Sequence, residues 1–468
     1  MIFNSLTFFV FFIIVLALYY IIPTKYRYLV LLGASYAFYA YSNYKYTLLL
    51  LIVTIITYIS GLFLKRIRDR KKQKILIALT TIVLIMILLY FKYLSFILTN
   101  INTIITLNIQ LQNIIVPLGI SFFILQAISY PIDVYRGDVK VEKNFFKYAL
   151  FVSFFPQLLS GPISKSKEMI PQINEIHKYD SKNIYNGILL ILYGLFKKVL
   201  IADLLAVGIN NVYNNLHDFT GITLIIVVIA YSFQIYFDFS GYSDIAYGCG
   251  KMLGFELNKN FNMPYFASSI KDFWSRWHIS LSTWFRDYLY IPLGGNRKGK
   301  VKLYLNLLIV FLVSGLWHGA AWTYIIWGVL HAIYQIFEKR FKLFFKQNYL
   351  NIIKTFILVT IAWIFFRAAK LSDAIYILVN LFKINMVNIK SQILLIGWDK
   401  YDLIILLVSI CTVFILEFFN YKKEIFIKIF NLDYKIKLLI FAALIMTVVI
   451  FGHYGPGFDN SSFIYLGY

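Results

Sequence analysis

One of the six histidines lies in the middle of a long uncharged stretch. Residues 303–337 contain no Asp, Glu, Lys or Arg, yet His318 lies among them in the sequence Ser314-Gly-Leu-Trp-His-Gly319. Burying an imidazole among apolar residues costs free energy unless the ring finds a hydrogen-bond partner or a polar chamber. A neutral imidazole can act as a general base near pH 7. We therefore predict that His318 is a catalytic base, with a ring simply hydrogen-bonded to a facing helix as the structural alternative.

His278 is the second candidate, because it lies in the aromatic segment 270–287. Read as one helix, this segment has an aromatic face and a polar face, which is typical of a helix in the membrane interface. Two interpretations stay open: a catalytic or tunnel-lining residue, or a histidine packed among interfacial rings.

His331 lies thirteen residues after His318, nearly on the opposite face if both share one helix. We predict a packing or interfacial role for it.

Two aspartates lie close to the end of another uncharged span, in Tyr236-Phe-Asp-Phe-Ser-Gly-Tyr-Ser-Asp244. Asp238 and Asp244 need cationic partners there, because an isolated buried carboxylate is very costly. Arg276 and Arg286 are the candidate partners that the sequence offers. We predict structural ion pairs in preference to direct catalysis by the carboxylates.

A metal site is not predicted. Metal ligands on a helix usually have HxxxH or HExxH spacing or come with paired cysteines, and neither pattern occurs. The two cysteines, Cys249 and Cys411, lie in apolar segments and form no CxxC pair. A GxSxG elbow, a Walker A loop and a GxGxxG fingerprint are also absent.

The composition indicates where such residues must work. Of the 468 residues, 60% are hydrophobic and 14% are charged, whereas a soluble domain has about 45–50% and about 25%. The formal net charge is +23, which in a membrane protein follows from Lys and Arg in cytoplasmic loops. The sequence therefore indicates an integral membrane protein surrounded by membrane lipid, with no nucleic-acid partner.

We predict an all-α polytopic fold of about 10–12 transmembrane helices, since each crossing needs about 20 mostly apolar residues. Further short or broken apolar segments are expected to form re-entrant and interfacial helices. The basic segments 65–74, 251–302 and 338–342 are predicted to be cytoplasmic. Segments 99–113 and 208–221 carry no Lys or Arg and are predicted to face outward.

Several long segments together resemble one known family. They are 116–137, Phe154-Phe-Pro-Gln-Leu-Leu-Ser-Gly-Pro-Ile163, 236–244, 273–297 and Ser314-Gly-Leu-Trp-His-Gly319. The chain is similar to the membrane-bound O-acyltransferases (MBOAT), in the branch of the alginate O-acetyltransferase membrane subunit and the peptidoglycan O-acetyltransferases. The resemblance implies one membrane acyltransferase domain over 1–468, with a family-like core over 116–340, an aromatic tail over 459–468 and a helical bundle around a central tunnel.

The resemblance also implies roles for single residues. His318 matches the family's essential histidine, deep in the tunnel, and His278 matches a second histidine that is specific to the branch. The tunnel or structural support is assigned to five residues: Asp238, Asp244, Trp317, Arg276 and Arg286. The family takes an acyl group from a cytoplasmic thioester, here acetyl-CoA as a donor substrate with no permanently bound cofactor, and passes it across the bacterial inner membrane.

The carboxyl-terminal sequence Ser462-Phe-Ile-Tyr-Leu-Gly-Tyr468 resembles the Phe-Ile-Tyr-Phe-x-Phe motif of this branch. Tyr465 matches the tyrosine that is expected to carry the acyl group transiently, while Leu466 and Tyr468 depart from the motif. An ordinary aromatic tail at the interface is the alternative. No Gly-Asp-Ser motif occurs, so the final transfer to a cell-surface polysaccharide is expected to need an extracytoplasmic partner of the SGNH type.

Two other functions stay open. A D-alanyl transfer protein for teichoic acid shares the histidine segments, so these segments do not separate it from an O-acetyltransferase. A transporter without covalent chemistry predicts paired half-helices and inverted repeats, which the sequence does not show.

Overall fold

The structure is a computed structural model that describes residues 1–105, 114–341, 343–384, 388–423, 428–429, 431–453 and 464, with the backbone alone at 420–423. The described residues form helices and no strand. Seven helical stretches are long and apolar enough to cross a membrane, by length and composition: Tyr44–Arg66, Arg70–Ile105, Ile222–Met252, Gly299–His318, Asn348–Arg367, Lys400–Phe419 and Tyr434–Phe451. The predicted all-α polytopic fold is confirmed, while the expected 10–12 crossings and the tunnel stay predictions.

The described residues form two compact units, one within 1–188 and 246–258 and the other within 189–245 and 259–464. The first unit contains α1 (Leu6–Ile21), α2 (Arg27–Ser42), α3 (Tyr44–Arg66), α4 (Arg70–Leu88), α5 (Leu94–Ile105), α6 (Ile120–Arg136), α7 (Phe145–Ser153), α8 (Phe155–Leu158) and α9 (Ser166–Asn174). The predicted single domain over 1–468, with its core and tail limits, stays a prediction.

The second unit contains most of the remaining helices. They are α10 (Ser181–Leu195), α11 (Asp203–Asn214), α12 (Ile222–Met252), α13 (Ile270–Arg276), α14 (Ile279–Phe285), α15 (Gly299–His318), α16 (Trp322–Phe341), α17 (Asn348–Arg367), α18 (Leu371–Asn380), α19 (Ile389–Leu394), α20 (Lys400–Lys423) and α21 (Tyr434–Phe451). Helix α10 begins and α12 ends in the first unit. A π-helical turn, Phe196–Ala202, joins α10 to α11, and such turns are frequent at functional sites.

Aromatic packing holds the first unit together. The rings of Phe38 in α2 and Phe155 in α8 lie 5.8 Å apart between centroids, and Phe8 in α1 contacts Phe38 at 6.1 Å. All three side chains are fully buried. Hydrogen bonding between buried hydroxyl groups adds to this packing. The Tyr148 hydroxyl donates to the Thr57 hydroxyl at 2.6 Å, which satisfies polar groups that would otherwise be costly to bury.

Helices α15 and α16 pack closely as a hairpin because glycines remove side chains from their interface. A Cβ atom on Gly328 would lie 2.2 Å from the Phe311 carbonyl oxygen, and one on Gly315 would lie 2.4 Å from the Tyr324 oxygen. Small residues permit this kind of close approach between membrane helices. The single helix that would place His331 opposite His318 is not formed: α15 ends at His318 and α16 starts at Trp322.

The expectation of one continuous helix over 270–287 is also wrong. The chain leaves the helix between α13 and α14, where His278 has a left-handed backbone with φ +42°. Two backbone hydrogen bonds from the preceding loop fix the break: the Asn262 N–H donates to the Arg276 oxygen, and the Ile279 N–H donates to the Asn260 oxygen, both at 2.9 Å. The Ser280 hydroxyl donates to the Asn260 side chain at 2.6 Å. These bonds replace the helical ones that His278 interrupts.

Candidate active site

The two helix breaks bring His278 and His318 together in the second unit. Their ring centroids lie 6.4 Å apart. Trp317 contacts both, at 5.9 Å from His278 and 4.9 Å from His318. Both histidines are at most 1% exposed, and Trp317 is also buried. Three of the residues that the sequence singled out therefore form one buried cluster.

Aromatic rings form the rest of the wall around this pair. Trp327 of α16 meets the His318 ring nearly at a right angle, with centroids 4.9 Å apart, and Phe366 of α17 lies 5.3 Å away. Phe239 of α12 lies 4.7 Å from the His278 ring. An environment of this kind has a low effective dielectric constant, so hydrogen bonds and developing charges inside it interact more strongly than in water.

His278 lies outside the spanning helices and is fully buried. Burial lowers the pKa of His278 to about 3, because the charged imidazolium loses its hydration. The ring is therefore neutral at physiological pH, and it can accept or donate a hydrogen bond without carrying a charge. His278 lies in the turn between α13 and α14, and its left-handed backbone places its ring beside that of His318.

His331 belongs to the same aromatic cluster as His318. Its Nδ1 accepts a hydrogen bond from the Trp274 indole at 3.2 Å. Trp327 lies between the two histidines, 4.9 Å from the His318 ring and 5.1 Å from the His331 ring. The predicted packing role of His331 agrees with this arrangement, but for a different reason: the hairpin turns His331 back toward the cluster.

Asp238 lies in a buried charged group that the sequence did not predict. Lys198 of the π-helical turn has its Nζ 2.6 Å from Asp238 Oδ1 and 2.7 Å from Asp203 Oδ1. The three side chains are at most 6% exposed. Asp238 Oδ2 accepts a hydrogen bond from the backbone N–H of Ile464 at 2.8 Å. Asp238 therefore has a cation on one oxygen and a backbone donor on the other.

Asp244 pairs with the neighbouring cation, Lys197. The ammonium group of Lys197 also lies over the Tyr193 ring, 4.6 Å from its centroid. A buried carboxylate on α20, Glu417, accepts a hydrogen bond from the Tyr236 hydroxyl. The expected structural ion pairs at Asp238 and Asp244 are thus present, with lysines as partners.

The predicted arginine partners are wrong. Arg276 binds Asp272 one turn earlier on α13, with 2.8 Å between Nε and Oδ1, and Arg286 binds its neighbour Asp287 at the same distance. Both arginines find carboxylates on their own segment, so neither is needed by Asp238 or Asp244. The overlooked signal was the sequence Lys197-Lys198 with Asp203 inside an apolar stretch, because charges within a span usually mark an ion-pair network or a function.

Among the residues that the structure describes, no group of three or more His, Cys, Asp or Glu side chains is placed to hold a metal ion. Tyr465, the predicted acyl carrier, lies outside the described residues, and Ile464 is the described residue next to it. The geometry thus provides a buried pair of imidazoles, indole groups and a separate charged group, which suits proton transfer in a buried site.

Comparison with known proteins decides the family. The model of the MBOAT, membrane-bound O-acyltransferase family matches residues 31–370, a range that includes both histidines of the buried pair. The chain belongs to the membrane-bound O-acyltransferases. This acyltransferase is therefore an enzyme and a multi-pass membrane protein, as the sequence predicted.

Two named relatives match about three quarters or more of this acyltransferase, and a third matches about half. A probable alginate O-acetylase of Pseudomonas aeruginosa is 44% identical over 385 residues, which are 80% of this chain and 73% of the relative. A peptidoglycan O-acetyltransferase of Helicobacter pylori is 39% identical over 389 residues, 76% of this chain and 74% of the relative. A teichoic acid D-alanyltransferase of Bacillus subtilis is 30% identical over 250 residues, 49% of this chain and 61% of the relative.

Proposed function

We propose that this acyltransferase takes an acetyl group from cytoplasmic acetyl-CoA and passes it across the bacterial inner membrane for O-acetylation of a cell-surface polysaccharide. An alginate-like exopolysaccharide and peptidoglycan are the proposed acceptors, because relatives with these names match about three quarters or more of the chain. An SGNH-type extracytoplasmic transferase is the proposed partner. The observation that carries the proposal is the buried pair of His278 and His318, with ring centroids 6.4 Å apart.

In the proposed reaction His318 is the general base. It takes the proton from an acceptor hydroxyl, and the oxygen attacks the carbonyl carbon of the thioester to form a new C–O bond. The tetrahedral intermediate then collapses, the C–S bond breaks, and the leaving thiolate takes the proton back from the imidazolium. His318 is neutral again at the end, so no other acid or base is consumed. His278 is proposed to orient the acceptor hydroxyl as a neutral hydrogen-bond partner.

The negative charge that develops on the carbonyl oxygen needs a donor. The Trp327 indole N–H is a suitable one, because its side chain is fully buried and finds no hydrogen-bond acceptor among the described residues. Its ring lies directly against His318. An indole N–H only donates, so it favours an oxyanion without competing for the proton that His318 takes.

Replacing Trp327 with phenylalanine is expected to lower kcat by about 10²–10³-fold with little change in KM, the usual effect of losing one oxyanion donor. Phenylalanine keeps an aromatic ring beside His318, but it removes the N–H together with part of the bicyclic indole, so a control for lost packing is needed. The control is Trp363→Phe, which changes an equally buried indole that stacks on Trp327 at 5.7 Å. Equal losses in both variants would assign the effect to packing and reject the oxyanion role.

Tyr465 is proposed to carry the acetyl group between the thioester and the partner. A phenol is more acidic than a sugar hydroxyl, so its ester stays activated for the next transfer. The test is mass spectrometry of the purified chain after incubation with acetyl-CoA, for the native protein, His318→Ala and Tyr465→Phe. An acetyl group on the carboxyl-terminal peptide of the native chain alone is the expected result.

Two other outcomes are informative. Acetyl-CoA hydrolysis or partner acetylation that is lost only in His318→Ala, with no adduct on any peptide, would keep the enzyme and reject the tyrosine carrier. The D-alanyl alternative rests on the similarity to a teichoic acid D-alanyltransferase over half of the chain. No acetyl-CoA consumption together with transfer from a D-alanyl carrier protein would reject the acetyl donor in favour of that alternative.

A further inference from the structure

The carboxyl-terminal segment is bonded to the second unit at two described points. The His453 N–H, just after α21, donates to the Val199 oxygen at 3.3 Å. The Ile464 N–H donates to Asp238 Oδ2 at 2.8 Å. Val199 follows Lys198 in the π-helical turn, and Lys198 is the ion-pair partner of Asp238. Both bonds therefore end at the same small region, although ten residues of sequence separate the two donors.

The charges in this region explain why a donor is needed at Asp238. One cation, Lys198, faces two buried carboxylates, Asp203 and Asp238. With both carboxylates ionised, the three groups carry one negative charge in excess. Each oxygen of a buried carboxylate requires a partner, and Lys198 approaches Oδ1 of Asp238. The Ile464 N–H supplies the partner for Oδ2.

A backbone donor has a consequence that a side-chain donor would not have. It does not depend on the side chain at position 464, so the bond can survive any substitution there except proline, which has no N–H. The residue bonded is Ile464, and the next residue in sequence is Tyr465. On α12, Asp238 is followed by Phe239, whose ring forms part of the wall around His278. The bond thus joins Ile464 to the helix whose next residue, Phe239, lies against His278.

We propose that Asp238 is a positioning residue: held by Lys198, its carboxylate clamps the chain at the Ile464 N–H, directly before Tyr465 in sequence. The effect on acetyl transfer rests on the proposed function, in which Tyr465 carries the acetyl group. The clamp itself does not depend on that role. Asp238 acts through the backbone of the tail and has no part in the chemical step.

The test removes the backbone donor and leaves the buried charges untouched. Ile464→Pro has no N–H, while Ile464→Ala keeps it and loses only the side chain. Ser462→Pro places the same ring two residues earlier and retains the Ile464 donor. Each full-length chain is treated with a protease that cleaves after aromatic residues. Cleavage is timed at the bond after Phe458, which is the same in every variant, because a proline at 464 itself blocks cleavage after Phe463. The rate of acetyl-CoA hydrolysis and the rate of acetylation of the tail are measured in parallel.

Cleavage of the tail in Ile464→Pro is expected to be about tenfold to a hundredfold faster than in the other chains, the range for one hydrogen bond to a charged group. Tail acetylation is expected to fall by a similar factor, with acetyl-CoA hydrolysis unchanged. Asp238→Ala is expected to release the tail in the same way. Because that variant also disturbs Lys198, the proline variant decides the question.

Equal cleavage in Ile464→Pro and Ile464→Ala would overturn the clamp, whatever happens to acetylation. Rapid cleavage in Ser462→Pro and Ile464→Pro alike would also overturn it, because the cause would then be the proline ring. Faster cleavage in Ile464→Pro alone, with no acetyl group on any tail, would support the clamp and reject the carrier step of the proposed function.

Discussion

Replacing His318 with glutamine is expected to lower acetyl transfer by about 10²–10⁴-fold, the usual contribution of a general base, while the protein stays folded. Glutamine fills a similar volume and keeps polar atoms in the buried site, but it cannot accept a proton near pH 7. The effect should appear in kcat, because the proton is taken in the chemical step. The measurement is the rate of thiol release from acetyl-CoA by the purified enzyme in detergent.

Two histidines serve as controls for this result. His217→Gln makes the same change on an exposed side chain and should leave the rate unchanged. His331→Gln alters a buried histidine whose Nδ1 is already bonded to the Trp274 indole, and it should cost much less than His318→Gln. A large loss of rate in His331→Gln together with a small loss in His318→Gln would identify His331, and not His318, as the general base.

The second large effect is expected at Lys198. Replacing it with methionine leaves Asp203 and Asp238 buried without their cation, and breaking a buried ion pair in this way costs about 3–5 kcal/mol. The free energy of unfolding should fall by this amount, which can be measured by titration of the purified protein with a denaturing detergent. Lys182→Met is the control: it gives the change in the free energy of unfolding when an exposed lysine is replaced.

A triple variant separates charge from packing at the same place. Lys198→Met combined with Asp203→Asn and Asp238→Asn removes the cation and both charges together. Replacing all members of a buried ionic group is often nearly neutral, so the triple variant should recover most of the lost stability. If it is as unstable as Lys198→Met alone, the lysine stabilises the π-helical turn through its packing, and the electrostatic explanation is wrong.

The sequence predicted the membrane class and singled out both members of the histidine pair. His318 stands out in a long uncharged segment, whereas His278 was indicated by its aromatic segment and by the family resemblance. The sequence did not predict how the pair meets. The break at His278 depends on a hydrogen bond that Asn260 accepts from the Ile279 N–H and one that the Asn262 N–H donates to Arg276. Asn260 and Asn262 lie in a loop that has no periodic pattern. The helical periodicity of residues 270–287 therefore gives no sign of the break between α13 and α14.

The ion pairs show a different limit. Arginines in the neighbouring polar segment were chosen as partners for Asp238 and Asp244, although two lysines already lay in the apolar stretch before α11. Pairing depends on which side chains a buried turn brings together, and the π-helical turn Phe196–Ala202 presents Lys197 and Lys198 to α12. The partner of a buried charge is therefore better sought among the charges of other apolar segments than among those of neighbouring polar segments.

The end of α15 at His318 has a consequence for the proposed proton transfer. Aligned peptide dipoles give the carboxyl end of a helix about half a negative charge, and His318 is the last residue of a twenty-residue helix. When the imidazole takes a proton, its new positive charge therefore forms at the electronegative end of this macrodipole. In favourable partly buried geometries such an interaction contributes up to about 2 kcal/mol. The chain break that turns α15 into α16 thus helps to stabilise the charged form of the base at the moment it is needed.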